Sequence, residues 1–308
     1  YKKPVATVEQ DINVSIEDAD GGDSITLIKR SVQLFNDLPP VAPDKFVVRI
    51  EGSLDTEVDN YYVRFDTNGS EDASSSLGGG SYTECAQPGI LIELDPATMP
   101  HILIRQDTVD PADKRFYFKK ADGVTGTTHG LAATPDYSNL TWHDRIVGDA
   151  VTNSDPSFIG YRLNSINFFK GRLALLSDTN VILSESGVYW NFFNVLSTSV
   201  LDSDVIDVAP SGERVSVLRS MVGYADRLIL MSDQTQFALV GSPLVTPKTV
   251  SITPVSDFEM VRTCEPIRSA TSLFFAFKRG DYTGVREMFV TNTLDMAFNS
   301  IDLTETIP

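Results

Sequence analysis

The chain has 308 residues, 42% of them hydrophobic, which is enough for sizeable cores and predicts two domains. Its net charge of −17, from 42 acidic and 25 basic residues, argues against a nucleic-acid-binding protein, because Lys and Arg supply most of the affinity for phosphates. No stretch approaches the roughly 18 apolar residues of a membrane-spanning helix, and the start at Tyr1 has neither an initiator Met nor a signal sequence, which predicts a piece of a longer protein.

Residues 1–81 are predicted to form a small α+β module. A strand is predicted from Val8 to Ile16, because apolar and polar residues alternate toward the end of that run. A helix is predicted next, capped by Ser24 and stopped by Pro39-Pro40. Its apolar face has spacings of three, four and three residues and consists of Ile25, Ile28, Val32 and Phe35. Two paired strands, Phe46–Ile50 and Tyr61–Phe65, are predicted to complete the module.

Residues 82–308 are predicted to be almost entirely β. The first part of this region consists of short apolar segments separated by turn residues, a pattern typical of strands. The predicted strands here are Tyr82–Ala86, Ile90–Leu94, His101–Arg105 and Arg115–Lys119.

A repeated segment then predicts the architecture. Arg172–Asp178 is echoed by Arg227–Asp233, and Leu273–Gly280 is a looser third copy. The leucines that mark the three copies, Leu173, Leu228 and Leu273, are 55 and 45 residues apart. A repeat of this length with about four short strands is typical of a β-propeller blade. The expected fold is mainly β, with β-propeller-type blades that follow the α+β module, and further blades are expected in residues 82–140 or outside this chain.

Motifs of catalysis and of cofactor binding are absent from the sequence. It contains no Gly-x-Ser-x-Gly, P-loop, His-Glu-x-x-His or Cys-x-x-Cys pattern, and His101, His129 and His143 lack metal-ligand spacing. Cys85 and Cys264 are isolated, which argues against a disulfide framework. We therefore expect no catalytic residue, no cofactor and no enzymatic activity.

The acidic run Leu201–Val208 is the one constellation that could carry chemistry. On a strand, Asp202 and Asp204 would share a face, as a glycosidase acid and base or a calcium site would require. The EF-hand pattern fails, because Ile206 stands where an oxygen ligand belongs. A solvated turn or hydrogen bonding between blades is favoured, and Asp202, Asp204 and Asp207 are weak candidates for a cation site.

The aromatic run Tyr189–Phe193 has two interpretations. Its rings could stack on a sugar, but aromatic side chains more often pack between sheets because they bury the largest areas. Core packing is favoured here and for Phe274, Phe275 and Phe277, which alternate across a predicted strand.

A series of segments along nearly the whole chain points to a known family. Its upstream part runs from Asp23–Ile28 to Tyr61–Phe65. The other segments are Asp95–His101, Trp142–Asp149, Pro156–Gly160, Gly171–Ser177, Asn180–Ser184, Asn191–Phe193, Asp204–Val208 and Leu244–Val250. Taken in this order, they resemble the tail nozzle proteins of short-tailed bacteriophages, the tail tubular protein B family. Two departures are Val205, where the family has Pro, and an apparent insertion from Lys119 to Leu140.

The resemblance implies a structural part of the virion tail. Proteins of this family form a hexameric tube below the portal and the adaptor ring, which is built from tail tubular protein A. They contain a β-propeller, anchor fibres or spikes, close the channel before infection and open for genome ejection. For this chain it implies a homohexamer that lets viral DNA pass without sequence-specific binding and is made and assembled in the cytoplasm of the bacterial host.

Two other functions stay open at the level of sequence. The first is a carbohydrate-binding or polysaccharide-degrading phage tail protein, with Asp202, Asp204 and Trp190 as its candidate residues. The second is a cellular β-propeller that acts as a binding scaffold, which predicts a closed ring within one chain and a stable monomer.

Overall fold

The computed structural model describes residues 31–52, 60–67, 78–107, 114–123, 139–211, 216–241, 244–292 and 297–304. Within these ranges the chain is mainly β, with a short 3-10 helix at Phe35–Asp37. It forms two compact units, one of residues 1–155 with 193–200 and one of residues 156–192 with 201–308. The expected division between residues 81 and 82 stays a prediction.

Eight described strands lie in the first unit. They are β1 Ser31–Val32, β2 Val41–Ala42, β3 Val47–Ile50, β4 Tyr61–Asp66, β5 Gly78–Gly79, β6 Ser81–Cys85, β7 Ile102–Asp107 and β8 Lys114–Lys119. Strands β1, β3, β4 and β6 form a four-stranded sheet in that order, while β2 pairs with β5 and β7 pairs with β8. The β1–β3 pair is parallel and the other pairs are antiparallel.

The predicted pairing of Phe46–Ile50 with Tyr61–Phe65 is confirmed. Val48 lies opposite Val63 in the antiparallel register of β3 and β4, and both side chains are buried. Successive side chains of a strand point to opposite faces of its sheet, and on one face these valines pack in a core with Val32 and Ile50.

The predicted helix after Ser24 is wrong over its described part. Val32 lies on β1 and pairs in parallel with Ile50, and Phe35 begins the 3-10 helix with its ring half exposed. Pairing with a distant strand thus overrides the helical spacing of these apolar residues. Ile25, Ile28 and the predicted strand Val8–Ile16 lie outside the described residues, and the described residues show no α+β module.

Three of the four strands predicted between residues 82 and 119 are confirmed as β6, β7 and β8. The fourth, Ile90–Leu94, is wrong, because this segment belongs to none of the described strands. The backbone of this segment instead bonds to a residue further along the chain, since the carbonyl of Ile92 accepts a hydrogen bond from the amide of Arg145 at 2.9 Å.

Twelve described strands form three four-stranded antiparallel sheets in the second unit. The first sheet contains β9 Leu163–Phe169, β10 Arg172–Ser177, β11 Asn180–Leu183 and β12 Ile206–Val208. The second contains β13 Leu218–Tyr224, β14 Arg227–Ser232, β15 Gln236–Val240 and β16 Ser251–Ser256. The third contains β17 Ile267–Ser269, β18 Ser272–Arg279, β19 Tyr282–Asn292 and β20 Ala297–Asp302. In each sheet, neighbouring strands follow one another along the chain.

The three repeated segments are the second strands of the three sheets. Two-residue turns precede the first two copies, at Lys170-Gly171 and Ala225-Asp226, and all four residues have positive φ angles between 45° and 76°. Turns of this kind match the right-handed twist of the flanking strands. The repeat in the sequence therefore corresponds to a hairpin that recurs in the fold.

The sheets stack face against face. Leu176 and Leu183 of the first sheet share a buried core with Leu228, Leu230 and Phe237 of the second. The opposite face of the second sheet supplies Ile229 and Met231 to another core, in which Leu273, Phe275 and Phe277 of the third sheet are buried. Both faces of the second sheet are thus covered, which explains why β14 is apolar at consecutive positions instead of alternating.

The first strands of the first two sheets are neighbours. The side-chain amides of Asn164 and Asn167 on β9 donate to the carbonyls of Leu218 and Met221 on β13, at 2.7 and 3.3 Å.

None of the helices in the described part of the chain has the length and apolar character needed to span a bilayer.

Candidate functional site

The acidic run precedes and enters the last strand of the first sheet. Asp202 and Asp204 lie in a turn, because β12 begins only at Ile206, so the expectation that a strand places them on one face is wrong. Asp202 is exposed, Asp204 is buried, and Asp207 is exposed on β12. The three weak candidates for a cation site thus have different environments.

A buried arginine organises this turn. The guanidinium of Arg172, whose residue is 1% exposed, donates to the carbonyls of Asp202, Ser203, Asp204 and Ser184 at 2.6 to 3.2 Å. Burial lowers the pKa of Arg172, and the carboxylates of Asp204 and Glu185 oppose that shift. Arg172 therefore ties strand β10 to the chain that leads into β12.

The carboxylates of the run accept hydrogen bonds from the protein itself. Asp204 accepts from the amide of Leu201 at 2.7 Å, and Asp207 accepts from the amide of Ser157 and the side chain of Asn180 at 2.7 and 2.8 Å. Among the residues that the structure describes, no group of three or more His, Cys, Asp or Glu side chains could hold a metal ion. The contacts seen here favour an architectural role for the acidic run.

The aromatic run is partly core and partly surface. Phe192 is buried edge-on against Phe158 with the ring centroids 5.3 Å apart, and Phe193 is buried below the guanidinium of Arg145. Tyr189 is more exposed and meets Phe168 of β9 edge-on at 5.2 Å. Core packing is confirmed for Phe192 and Phe193, as it is for Phe275 and Phe277 on β18.

Two of the three histidines lie in the described part of the chain. His101 and His143 are both exposed, and His129 lies outside the described residues. Next to His143, burial raises the pKa of the Asp144 carboxyl, with the nearby charge of Glu93 adding to the shift and His143 opposing it.

One charged cluster was missed by sequence reasoning. Asp233, in the turn after β14, accepts two hydrogen bonds from Arg219 of β13 and two from Arg262, which precedes β17, all at 2.9 to 3.0 Å. These bonds lower the pKa of Asp233, and the bond from Arg219 makes the largest contribution. The signal was present, because Asp178 and Asp233 end the two closest copies of the repeat. Asp178 also meets the next sheet, where its carbonyl accepts from the amide of Leu218 at 2.8 Å.

Comparison with known proteins confirms the resemblance found in the sequence. Bacteriophage nozzle proteins match residues 4–308 of the chain. "Tail tubular protein gp12" of Escherichia phage T7 is 30% identical over 284 residues, which are 92% of this chain and 32% of that protein. The chain thus spans about a third of the length of the curated relative that it matches. Since the family match covers nearly every residue, the chain belongs to the bacteriophage nozzle protein family.

Proposed function

We propose that this structural component of a phage tail forms part of the wall of the nozzle through which the genome leaves the virion. The observation that carries the proposal is the match to nozzle proteins over residues 4–308. The repeated, stacked sheets of the second unit support the proposal. A channel wall must be rigid, and the extensive packing between these sheets makes the unit rigid.

The three sheets are successive blades of a β-propeller in this proposal. Each has four antiparallel strands in chain order, and the first strands of the first two sheets are neighbours. Blades arranged around an axis with their first strands innermost have this pattern. The third sheet supports the idea of further blades, since its face away from the second sheet exposes Ile267, Val285 and Ile301.

The acidic composition suits a conduit for DNA. Several copies of a chain with net charge −17 would repel phosphates within the screening length of roughly 8 Å at physiological salt. We propose that this charge is concentrated on the channel side, so that DNA slides instead of adsorbing. A structure of the assembled nozzle with a neutral or basic channel lining would contradict this part of the proposal.

The proposed assembly is a homohexamer in the virion tail, placed below an adaptor ring and bound to fibres or spikes. It forms in the host cytoplasm, where the tail is put together. Electron microscopy of the full-length product tests the proposal, with six-fold annular particles as the expected result. Particles that remain monomeric in the presence of the adaptor ring would contradict it.

The alternative, a polysaccharide-degrading tail protein, has its own test. Incubation with capsular or cell-wall polysaccharide should release reducing ends, and the release should disappear in Asp204→Asn. The buried position of Asp204 and its bond to the Leu201 amide favour the structural function. Release of reducing ends by the wild-type chain that Asp204→Asn abolishes would reverse that preference.

A further inference from the structure

Residues 193–200 belong to the first unit, although the chain on either side of them belongs to the second. They lie in the connection between β11 and β12 of the first sheet, and we call them the strap. The chain therefore passes between the two units three times, after residues 155, 192 and 200. If the strap left the first unit, the passage at residues 155–156 would be the one that remains.

Polar side chains hold the strap in the first unit. The side-chain amide of the buried Asn153 donates to the carbonyl of Asn194 at 3.1 Å, and its oxygen accepts from the amide of Asn194 at 2.9 Å. Three residues further on, the carboxylate of Glu84 accepts hydrogen bonds from the amide of Ser197, at 2.7 Å, and from its hydroxyl. Two side chains thus bond to the strap much as a neighbouring strand would.

The strap docks over a glycine. A Cβ atom at Gly148 would lie 2.8 Å from the Cβ of Asn153 and 3.3 Å from the Cβ of Ser197. The φ angle of Gly148 is +79°, in the region that favours glycine. The close approach of these residues indicates one specific docked position for the strap.

A buried arginine lies where the chain leaves the first unit and where it returns. Arg145 pairs with Asp155, the last residue before the chain leaves, and its guanidinium lies 4.8 Å from the ring centroid of Phe193, the first residue after the return. The Arg145 side chain is 1% exposed, and its Nε has no hydrogen-bond partner within the described part of the chain. Burial of an incompletely bonded cation costs free energy, so the docked strap is held against a penalty.

The chain on both sides of the strap is fixed within the second unit. Before the strap, the side-chain amide of Asn191 donates to the carboxylate of Glu185 at 2.7 Å. After it, Arg172 binds the carbonyls of residues 202–204 at 2.6 to 3.2 Å. These contacts do not involve the first unit, so the strap can leave its position there while β11 and β12 stay paired.

The strap itself buries little apolar surface. Phe193 is buried, but residues 194–197 are only half-buried and residues 198–200 are exposed. Water can replace each of the hydrogen bonds that hold residues 194 and 197, so opening these contacts costs less than opening an apolar core.

We infer that the strap is a releasable link between the two units. While it is docked, three passages of the chain join the units. Once it is released, residues 155–156 are the hinge about which the units move, and the strap becomes a loop of the second unit. The contacts that decide between the two states are those of Asn153, Glu84 and Arg145.

Hydrogen exchange of the full 308-residue chain tests the release of the strap. Asn153→Ala removes both bonds to Asn194, so the amides of Asn194 and Ser197 should exchange at least about tenfold faster than in the wild type. Ser197→Ala should have a smaller effect, because Glu84 still accepts the amide of residue 197. Amides in β11 and β12 should exchange as in the wild type in both variants.

Asn167→Ala is the matched control. It removes an asparagine amide that donates to a backbone carbonyl at 3.3 Å within the second unit, away from the strap. Exchange at residues 194 and 197 should therefore stay as in the wild type. Ser197→Ala retains the buried Asn153 and gives the same comparison should Asn153→Ala fail to fold.

Spin labels on the two units test the hinge. Cys264 is exposed in the second unit, and Ala97→Cys would place a second label at an exposed position of the first, while Cys85 is buried. The distribution of distances between the labels should broaden when Asn153→Ala is added and should not change when Asn167→Ala is added.

Three results would overturn the inference. Unchanged exchange at residues 194 and 197 in Asn153→Ala would show that these contacts do not hold the strap. Loss of protection in β11 or β12 together with the strap would show that the strap cannot leave without the first sheet. Faster exchange in the strap with an unchanged distance distribution would show that its release does not free the units to move.

Discussion

The carboxylate of Asp233 accepts two hydrogen bonds from the guanidinium of Arg262, each at 2.9 Å. Asp233 follows the second strand of the second sheet, and Arg262 precedes the first strand of the third. The same carboxylate binds Arg219 of β13, so one acidic residue joins the edge of its own sheet to the approach of the next. Paired forks of this kind fix geometry better than single contacts do.

Replacement of Asp233 should weaken the fold in a pH-dependent way. Because Arg219 and Arg262 lower the pKa of Asp233, its contribution to stability is present above the pKa of about 3.9 of an unfolded Asp. That contribution is lost as the pH falls through the lower pKa of the folded state. Asp233→Asn should reduce the free energy of unfolding by about 1 kcal/mol at pH 7, as measured by urea denaturation, and the difference should shrink below about pH 4.

Asp226→Asn is the control for that experiment. Asp226 pairs with Lys170 at 3.0 Å between two turns, but its side chain is 77% exposed. Exposed pairs contribute little, so we expect a change of less than about 0.5 kcal/mol at any pH. Equal losses of unfolding free energy in the two variants would show that the hydrogen bonds from Arg219 and Arg262 to Asp233 add nothing to the stability of the chain.

Replacement of Arg172 should destabilise the chain far more than the equivalent change in the second repeat. Arg172→Met would leave buried carbonyls without donors, and we expect a loss of about 3 kcal/mol in the free energy of unfolding. Arg227 occupies the same place in its repeat, and its guanidinium lies over the ring of Phe298, 5.4 Å from the ring centroid. Arg227→Met should cost about 1 kcal/mol or less. Similar costs in calorimetry would contradict the role assigned to Arg172.

The two cysteines should differ in reactivity. Burial raises the pKa of the Cys85 thiol to about 11, whereas Cys264 is exposed. A buried, protonated thiol is a poor nucleophile, so a chromogenic disulfide reagent at about pH 8 should modify one thiol in the native chain and two in denaturant. Rapid modification of both thiols before unfolding would contradict the packing around β6.

The parts of the fold that sequence predicted are those with local signals. Leu173 and Leu228 lie in two copies of one repeated segment, and a turn precedes each copy. The strands and their repetition could therefore be inferred without knowledge of the packing. The stacking of the sheets follows less directly. Its signal in the sequence is the run of consecutive apolar residues in β10 and in β14, which is typical of strands covered on both faces.

The missed features depend on residues far apart in sequence. Val32 joins a strand because Ile50 is its neighbour, which spacing along the chain cannot reveal. Ile90–Leu94 is apolar at four of its five positions, as a short strand can be, but belongs to none of the described strands. Arg172 would ordinarily be expected at the surface, and the carbonyls that hold it lie 12 to 32 residues further along the chain.

A cryo-electron microscopy map of the phage tail that contains this protein tests the central claim most directly. The account predicts that β9, β13 and β17 lie around one axis, with β10, β14 and β18 outside them and the three sheets fanning outward as successive blades of the nozzle wall. A map in which these sheets form a flat sandwich without a common axis, or lie away from the tube, would contradict it.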